Sequence, residues 1–172
     1  MNPGAAELFR RLSTGVYVIG VSQSGRRNGF TAAWVVQLSF QPPLLGLAIN
    51  PGNASYPLLV GGGTFTVNVL EKGRLDLARD FGTRSGREVD KLAAVRWRAA
   101  ASGAPVLTES IAYFDCRVEA RHPTGDHELV VGRVVDGGVT HPDSEPMLYA
   151  ETGNLDGSAA LYADAAGEGD PR

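Results

Sequence analysis

Cysteine is all but missing from this chain of 172 residues, with Cys116 the only one. One thiol closes no internal disulfide and cannot supply a Cys-rich zinc site. A basic surplus is missing as well. Sixteen Lys and Arg face 19 Asp and Glu, for a net charge of −3, whereas chains built to bind nucleic acid carry a clear excess of cations. The longest apolar run, Pro42 to Ile49, is far below the ~18 residues of a membrane span. The opening MNPGAAELFRRL lacks the basic-then-apolar order of a signal peptide, so a cytoplasmic location is expected. There is no GxxxxGK[ST], GxSxG or HExxH. Gly61-Gly62-Gly63 precedes a strand instead of opening a helix, which reads as a turn and not as a phosphate cradle. His122, His127 and His141 put no two imidazoles on one face, so no metal site is expected.

What is present suffices for one domain: 43% apolar residues, 22 Gly and 10 Pro. The domain is expected over residues 1–155, followed by an acidic, flexible tail over 156–172. Ala5–Leu12 suits a short helix with Leu8, Phe9 and Leu12 on one buried stripe. Val16–Val21, FTAAWVVQLS (30–39), Leu44–Ile49 and Thr64–Leu70 read as strands, and Ala54–Val60 and Arg74–Phe81 as short helices. From Ser110 to Arg121 the chain alternates, with Ala112, Phe114, Cys116, Val118 and Ala120 on one face and Asp115, Arg117, Glu119 and Arg121 on the other. HELVVGRVVDG returns as its partner. Strands and turns at this spacing predict a mainly β chain closed, or nearly closed, into an antiparallel barrel.

The stretch from Asn28 to Tyr56 holds the most chemical information. The small pair Ala32-Ala33, beside Thr31 and Trp34, allows a flat ring to approach the backbone; an ordinary half-buried strand has the same composition. Ser55 either meets an anion at a helix start or caps that helix. Eight of the 16 basic residues lie between Glu71 and Arg98, as an anion site or as a solvated helical face. His127, beside Asp126, is either structural or a hydrogen-bonding group of a site. Cys116 alternates onto the apolar face and reads as a small hydrophobe.

In order, LFRRLSTGVYVIGV, NGFTAAWVVQLSFQPPLLGLAIN, ASYPLL, TFTVNVL, LARDFG, DKL, GAPVL, AYFDCRVEAR and GDHELVVGRV resemble the flavin reductase-like family of FMN-binding split barrels, over Leu8 to Val135. The Trp34 form of the second strand is most similar to the flavoredoxin-like branch and to the reductase domain appended to some flavodiiron proteins. The resemblance implies an antiparallel split β-barrel with short helices, a homodimer, and FMN near the subunit interface. Asn28, Gly29, Phe30, Thr31, Ala32, Ala33 and Trp34 match the strand along the flavin ring and ribityl chain, and Ala48, Ile49 and Asn50 match the next strand's contact to the ring. Ala54 and Ser55 match the phosphate end, and Phe81, Arg84 and Ser85 the loop that closes the site. Arg84, Arg87 and Lys91 are then candidates to neutralise a phosphate, and His127 to handle nicotinamide.

The implied activity is hydride transfer from NADH or NADPH to N5 of FMN, with FAD as a second flavin and an oxygenase as a partner for the reduced product. One alternative is an FMN-binding electron carrier without its own nicotinamide activity, favoured by the bulk of Trp34. Another is a haem-binding split barrel with His127 as the axial ligand. Nucleic acid and membrane are not expected partners.

Overall fold

Local chemistry sets the first hairpin. In the computed structural model, which describes Gly4–Tyr162, the β-branched and aromatic run forms β1 (Tyr17–Gln23), and β2 (Arg26–Ala32) returns beside it. Ser24 and Gly25 between them have φ of 49° and 81°, the two-residue turn whose twist suits paired strands. Then come β3 (Val35–Ser39), β4 (Leu44–Ile49), β5 (Thr64–Val69), a small hairpin of β6 (Trp97–Ala99) and β7 (Pro105–Leu107), and the long pair β8 (Ala112–Thr124) and β9 (His127–Val139). The helices are short: α1 (Ala5–Phe9), α2 (Tyr56–Gly62) and α3 (Leu75–Gly82), with 3-10 turns at Lys91–Ala94, Tyr149–Thr152 and Ser158–Leu161. The acidic tail expected from residue 156 lies, beyond Tyr162, outside the described residues.

The large sheet is antiparallel and ordered β2-β1-β5-β8-β9-β4-β3. Its two edge strands, β2 and β3, are consecutive in the chain and joined only by Ala33 and Trp34. Three Cα steps reach at most about 11 Å, so the edges must come together and the sheet must curl. The result is a split β-barrel with its seam between β2 and β3. Beside the seam the Ala48 amide donates to the Trp34 carbonyl at 3.0 Å.

Ile19, Val21, Phe30, Leu47, Phe65, Val67 and Val130 fill the barrel. A second cluster, with Val16, Val18, Leu70, Leu77, Phe81 and Met147, packs outside it under α3. Because β1 is covered on both faces, its residues from Val18 to Val21 are all buried. Buried Asn68 is fully engaged, donating to the Val18 carbonyl at 3.0 Å and accepting from the Leu107 amide at 2.8 Å, which fastens the β6–β7 hairpin to the barrel.

Three expectations change. Residues 30–39 do not form one strand: the chain leaves the β1 ladder at Ala32 and joins β4 from Val35. The Leu8, Phe9 and Leu12 stripe is not buried, at 55%, 55% and 61% exposure, and α1 ends at Phe9, whose ring stacks on Tyr162 at 5.5 Å. Asp115 is not on a solvent face. A bulge between Asp115 and Cys116 shifts the register, so both are fully buried. The Asp115 carboxylate accepts from the Ser102 amide at 3.0 Å and the Ser102 hydroxyl at 2.5 Å. Burial first, then Asp115, pushes the Cys116 thiol up to about 12, which leaves it unreactive.

Candidate functional site

Where α3 and the C-terminal segment meet the seam, two clefts adjoin, sharing Phe30, Thr31 and Asn53 as common wall. The first, about 260 Å³, runs past Ala32, Ala33 and Trp34 at the seam, Ala48, Ile49 and Asn50 at the end of β4, and His127 at the head of β9. Strand register brings these together: Ile49 pairs with Glu128 and Ala48 with Leu129, so His127 begins its strand next to the Asn50 turn. That turn is closed by its own side chains, with Asn50 Oδ1 accepting from the Gly52 amide and Asn53 Oδ1 from the Ser55 amide, both at 2.8 Å.

His127 Nδ1 lies 2.8 Å from Asp126 Oδ1, and this hydrogen bond holds the Asp126 carboxyl below its ordinary range. With Nδ1 engaged by Asp126, Nε2 is the ring nitrogen left for another partner. The Trp34 and His127 rings lie 4.7 Å apart, tilted by 51°. The hairpin end is braced from below. The Tyr56 hydroxyl donates to Glu128 Oε2 at 3.2 Å, and Arg121 donates to Glu128 Oε1 at 3.1 Å.

The second cleft, about 250 Å³, is lined by Ala54, Phe81, Arg84, Ser85, Arg87 and Lys91, together with Gly52 and Gly82. Beside it, Thr31 Oγ1 donates to the Ala78 carbonyl at 2.8 Å and ties α3 to β2. Lys91 is only 6% exposed. Its ammonium donates to the Phe81 carbonyl at 3.1 Å and sits 5.6 Å from the centre of the Phe81 ring. Burial, and then the neighbouring Arg84, lower its pKa to about 8. Arg87 donates to the Gly52 carbonyl at 3.2 Å. Among the described residues no carboxylate lines this cleft. Three cations, one of them buried, face a cavity without a counter-anion, which is the electrostatic imprint of an anion.

Of the remaining residues singled out in the sequence, Asn28 is buried and opens onto an adjoining groove. Gly29 lines neither cleft; a Cβ there would lie 2.9 Å from the Phe81 ring, so its bareness seats Phe81. Ser55 precedes α2, and its hydroxyl is buried with no hydrogen-bond partner and opens onto neither cleft. The sequence reading missed the opposite wall of the first cleft, Tyr149 and Asp156. The Tyr149 hydroxyl donates to Asp156 Oδ2 at 2.8 Å. No motif links residues so distant in the chain to β2, and only the apolar character of Tyr149 and Leu155, which pack on the second cluster, hinted that this segment is anchored.

The slot and the cationic pocket fit a flat ring joined to a phosphate, and comparison with known proteins bears on which. Residues 9–157 match the profile of the Flavin reductase like domain. The chain belongs to the flavin reductase-like family. It is 37% identical over 145 residues to the FMN reductase (NADH) RutF of Methylorubrum extorquens, covering 84% of this chain and 70% of that protein. Among solved structures of the same fold, the NADH:FAD oxidoreductase SgcE6 of Streptomyces globisporus aligns with a TM-score of 0.79 at 30% identity, over 86% of this chain and 87% of that one, and is also known in complex with NAD and FAD fragments. Nitrilotriacetate monooxygenase component B of Mycobacterium thermoresistibile aligns with a TM-score of 0.74 at 31% identity, over 83% and 81% of the two chains. As in the expectation for a flavin reductase-like chain, the architecture is an antiparallel split barrel with short helices. No helix among the described residues is long and apolar enough to cross a membrane.

Proposed function

We propose that this flavin reductase-like protein is an NAD(P)H:flavin oxidoreductase that holds FMN along the two clefts and reduces it with a transiently bound nicotinamide. The observation that carries the reading is Lys91, a buried ammonium beside two guanidiniums and no carboxylate, facing a pocket continuous with a flat slot. When bound, the flavin supplies the hydride-accepting ring. The chain's own residues bind and orient. Lys91, Arg84 and Arg87 neutralise the phosphate, the Phe30–Trp34 backbone and Ala48–Asn50 flank the ring, and Tyr149 with Asp156 closes the far wall against water. His127, fixed by Asp126, offers Nε2 to position the nicotinamide. No acid–base triad is needed for this chemistry.

The same reading makes the protein a homodimer. Val36 and Leu38 on the edge strand β3, with Trp34 and Phe40 at its two ends, are 56%, 44%, 50% and 87% exposed, an apolar surface that a second copy would cover. Light scattering should show a dimer, and Leu38→Asp should turn it into a monomer. A cytoplasmic enzyme of this kind would deliver reduced flavin to an oxygenase partner, a role in keeping with the monooxygenase component among its relatives.

The deciding experiment is anaerobic mixing of the FMN-loaded protein with NADH or NADPH while following the flavin absorbance. Bleaching by a nicotinamide supports the reductase. Bleaching by dithionite but by neither nicotinamide would make it an electron carrier, and absence of flavin binding would discard the reading altogether.

A further inference from the structure

We infer that residues 4–12, which carry α1, and residues 150–162 form a two-part cover on the first cleft, and that its opening sets the rate at which flavin enters and leaves. The inference rests on the flavin reading above and adds how that ligand comes and goes. Phe9, Arg10 and Leu12 from one part and Asp156, Ser158 and Tyr162 from the other line the cleft.

The roots of the cover are firm. The Val16 amide donates to the Met147 carbonyl at 3.0 Å and the Tyr149 amide to the Thr14 carbonyl at 2.8 Å. Past these points the attachment changes character. Among the described residues no backbone hydrogen bond joins 4–12 or 150–162 to the barrel, and neither segment has a buried residue. Segments with so little burial open at a small cost in free energy. The two parts hold one another instead. The Arg10 guanidinium donates to Asn154 Oδ1 at 3.1 Å, and the Phe9 ring stacks on Tyr162 at 5.5 Å. Asn154 Oδ1 also accepts from the Ala159 amide at 3.1 Å, so one exposed side chain braces both halves. Leu155, packed on the second cluster, and the Tyr149 hydroxyl, bonded to Asp156 and 2.9 Å from Ser158 Oγ, keep the C-terminal half over the cleft. Loss of one tie between the halves raises the fraction of time the cover stands open. A gate passes traffic both ways, so entry and release then speed up together.

The test uses Asn154→Ala, because Asn154 lines neither cleft. Binding is followed by flavin fluorescence after mixing flavin-free protein with FMN, and release after diluting the FMN-loaded protein. Both rates should rise about fivefold, the effect of one exposed hydrogen bond on the closed state, with the affinity unchanged within about twofold. Phe9→Ala, which removes the stack, should act in the same direction. Trypsin, cutting after Arg10 or Arg11, should attack flavin-free Asn154→Ala faster than the native protein. Faster release with an unchanged binding rate would mean a lost contact and not a gate, and would overturn the inference. So would unchanged flavin rates, whether or not trypsin cuts faster. In each of these cases FMN still binds and the flavin reading stands; failure of the native protein to bind FMN removes both.

Discussion

The two ends of the site are built on opposite terms. At the seam the chain supplies shape. Ala32, Ala33 and Ala48 keep the slot thin, and the ladders on either side fix its walls. At the other end it supplies charge, carried by Arg84, Arg87 and Lys91 in the segment between α3 and β6, which is held by a 3-10 turn and a few side-chain bonds. Shape set by a sheet costs nothing when the slot is empty. A buried cation without a counter-anion does, because the Phe81 carbonyl and ring compensate its desolvation only in part until an anion arrives. Ligand affinity and pH dependence should therefore concentrate at the charged end, and ring orientation and rate at the seam.

The sharpest way to break this contrast is Lys91→Met. It should weaken FMN binding by about 10- to 100-fold, as expected for a buried charge-assisted contact, leave riboflavin affinity unchanged, and leave the thermal midpoint of the flavin-free protein equal or higher. A matched loss for riboflavin would show that Lys91 shapes the ring slot instead. At the seam, His127→Ala should slow anaerobic reduction by NADH by about tenfold with dithionite reduction unaltered; equal slowing by both reductants would mean that the ring environment was damaged.

Next in size is the response to pH. The Lys91 pKa is lowered to about 8 in the folded protein, against about 10.4 in an unfolded chain. Between those values the unfolded state binds the extra proton, so the flavin-free protein should gain stability as pH rises through that window. FMN, which needs the protonated amine, should lose about eightfold in affinity from pH 7.5 to 9, whereas riboflavin should lose none. A flat FMN profile would remove Lys91 from the phosphate site. The smallest effect is expected from Asp126→Asn. The carboxylate is 83% exposed and screened by water, so the NADH rate should change by less than about twofold; a larger change would make the charge on Asp126, and not only its hydrogen bond, part of the site.

The strands, their antiparallel pairing and the small-residue run at the ring end were legible because alternation and β-propensity are local signals. The seam was not. Apolar and polar residues keep alternating from Phe30 to Ser39, and nothing local reports that the sheet has run out of neighbours at Ala32. Asp115 hid for a related reason, since the bulge beside it lets two consecutive residues, Asp115 and Cys116, both turn inward. At α1 the spacing of Leu8, Phe9 and Leu12 could not say that the helix stops at Phe9 or that none of the three is buried. At the charged end the residue types were visible, while the decisive fact, that Lys91 is buried and Arg79 or Arg96 is not, depends on packing between α3 and the 3-10 turn. The far wall at Tyr149 and Asp156 depends on the chain's return across the barrel.

Ala33 and Trp34 join the two edges of the sheet and also line the slot. A dipeptide in that double position can exchange side chains, but an inserted residue would loosen the closure of the wall and displace the ring contacts at once. The Phe40–Pro43 turn lines neither cleft and can lengthen without reopening the barrel. Diversification of ligand preference in this protein is thus channelled into point substitutions at the closure, and insertions are channelled away from it.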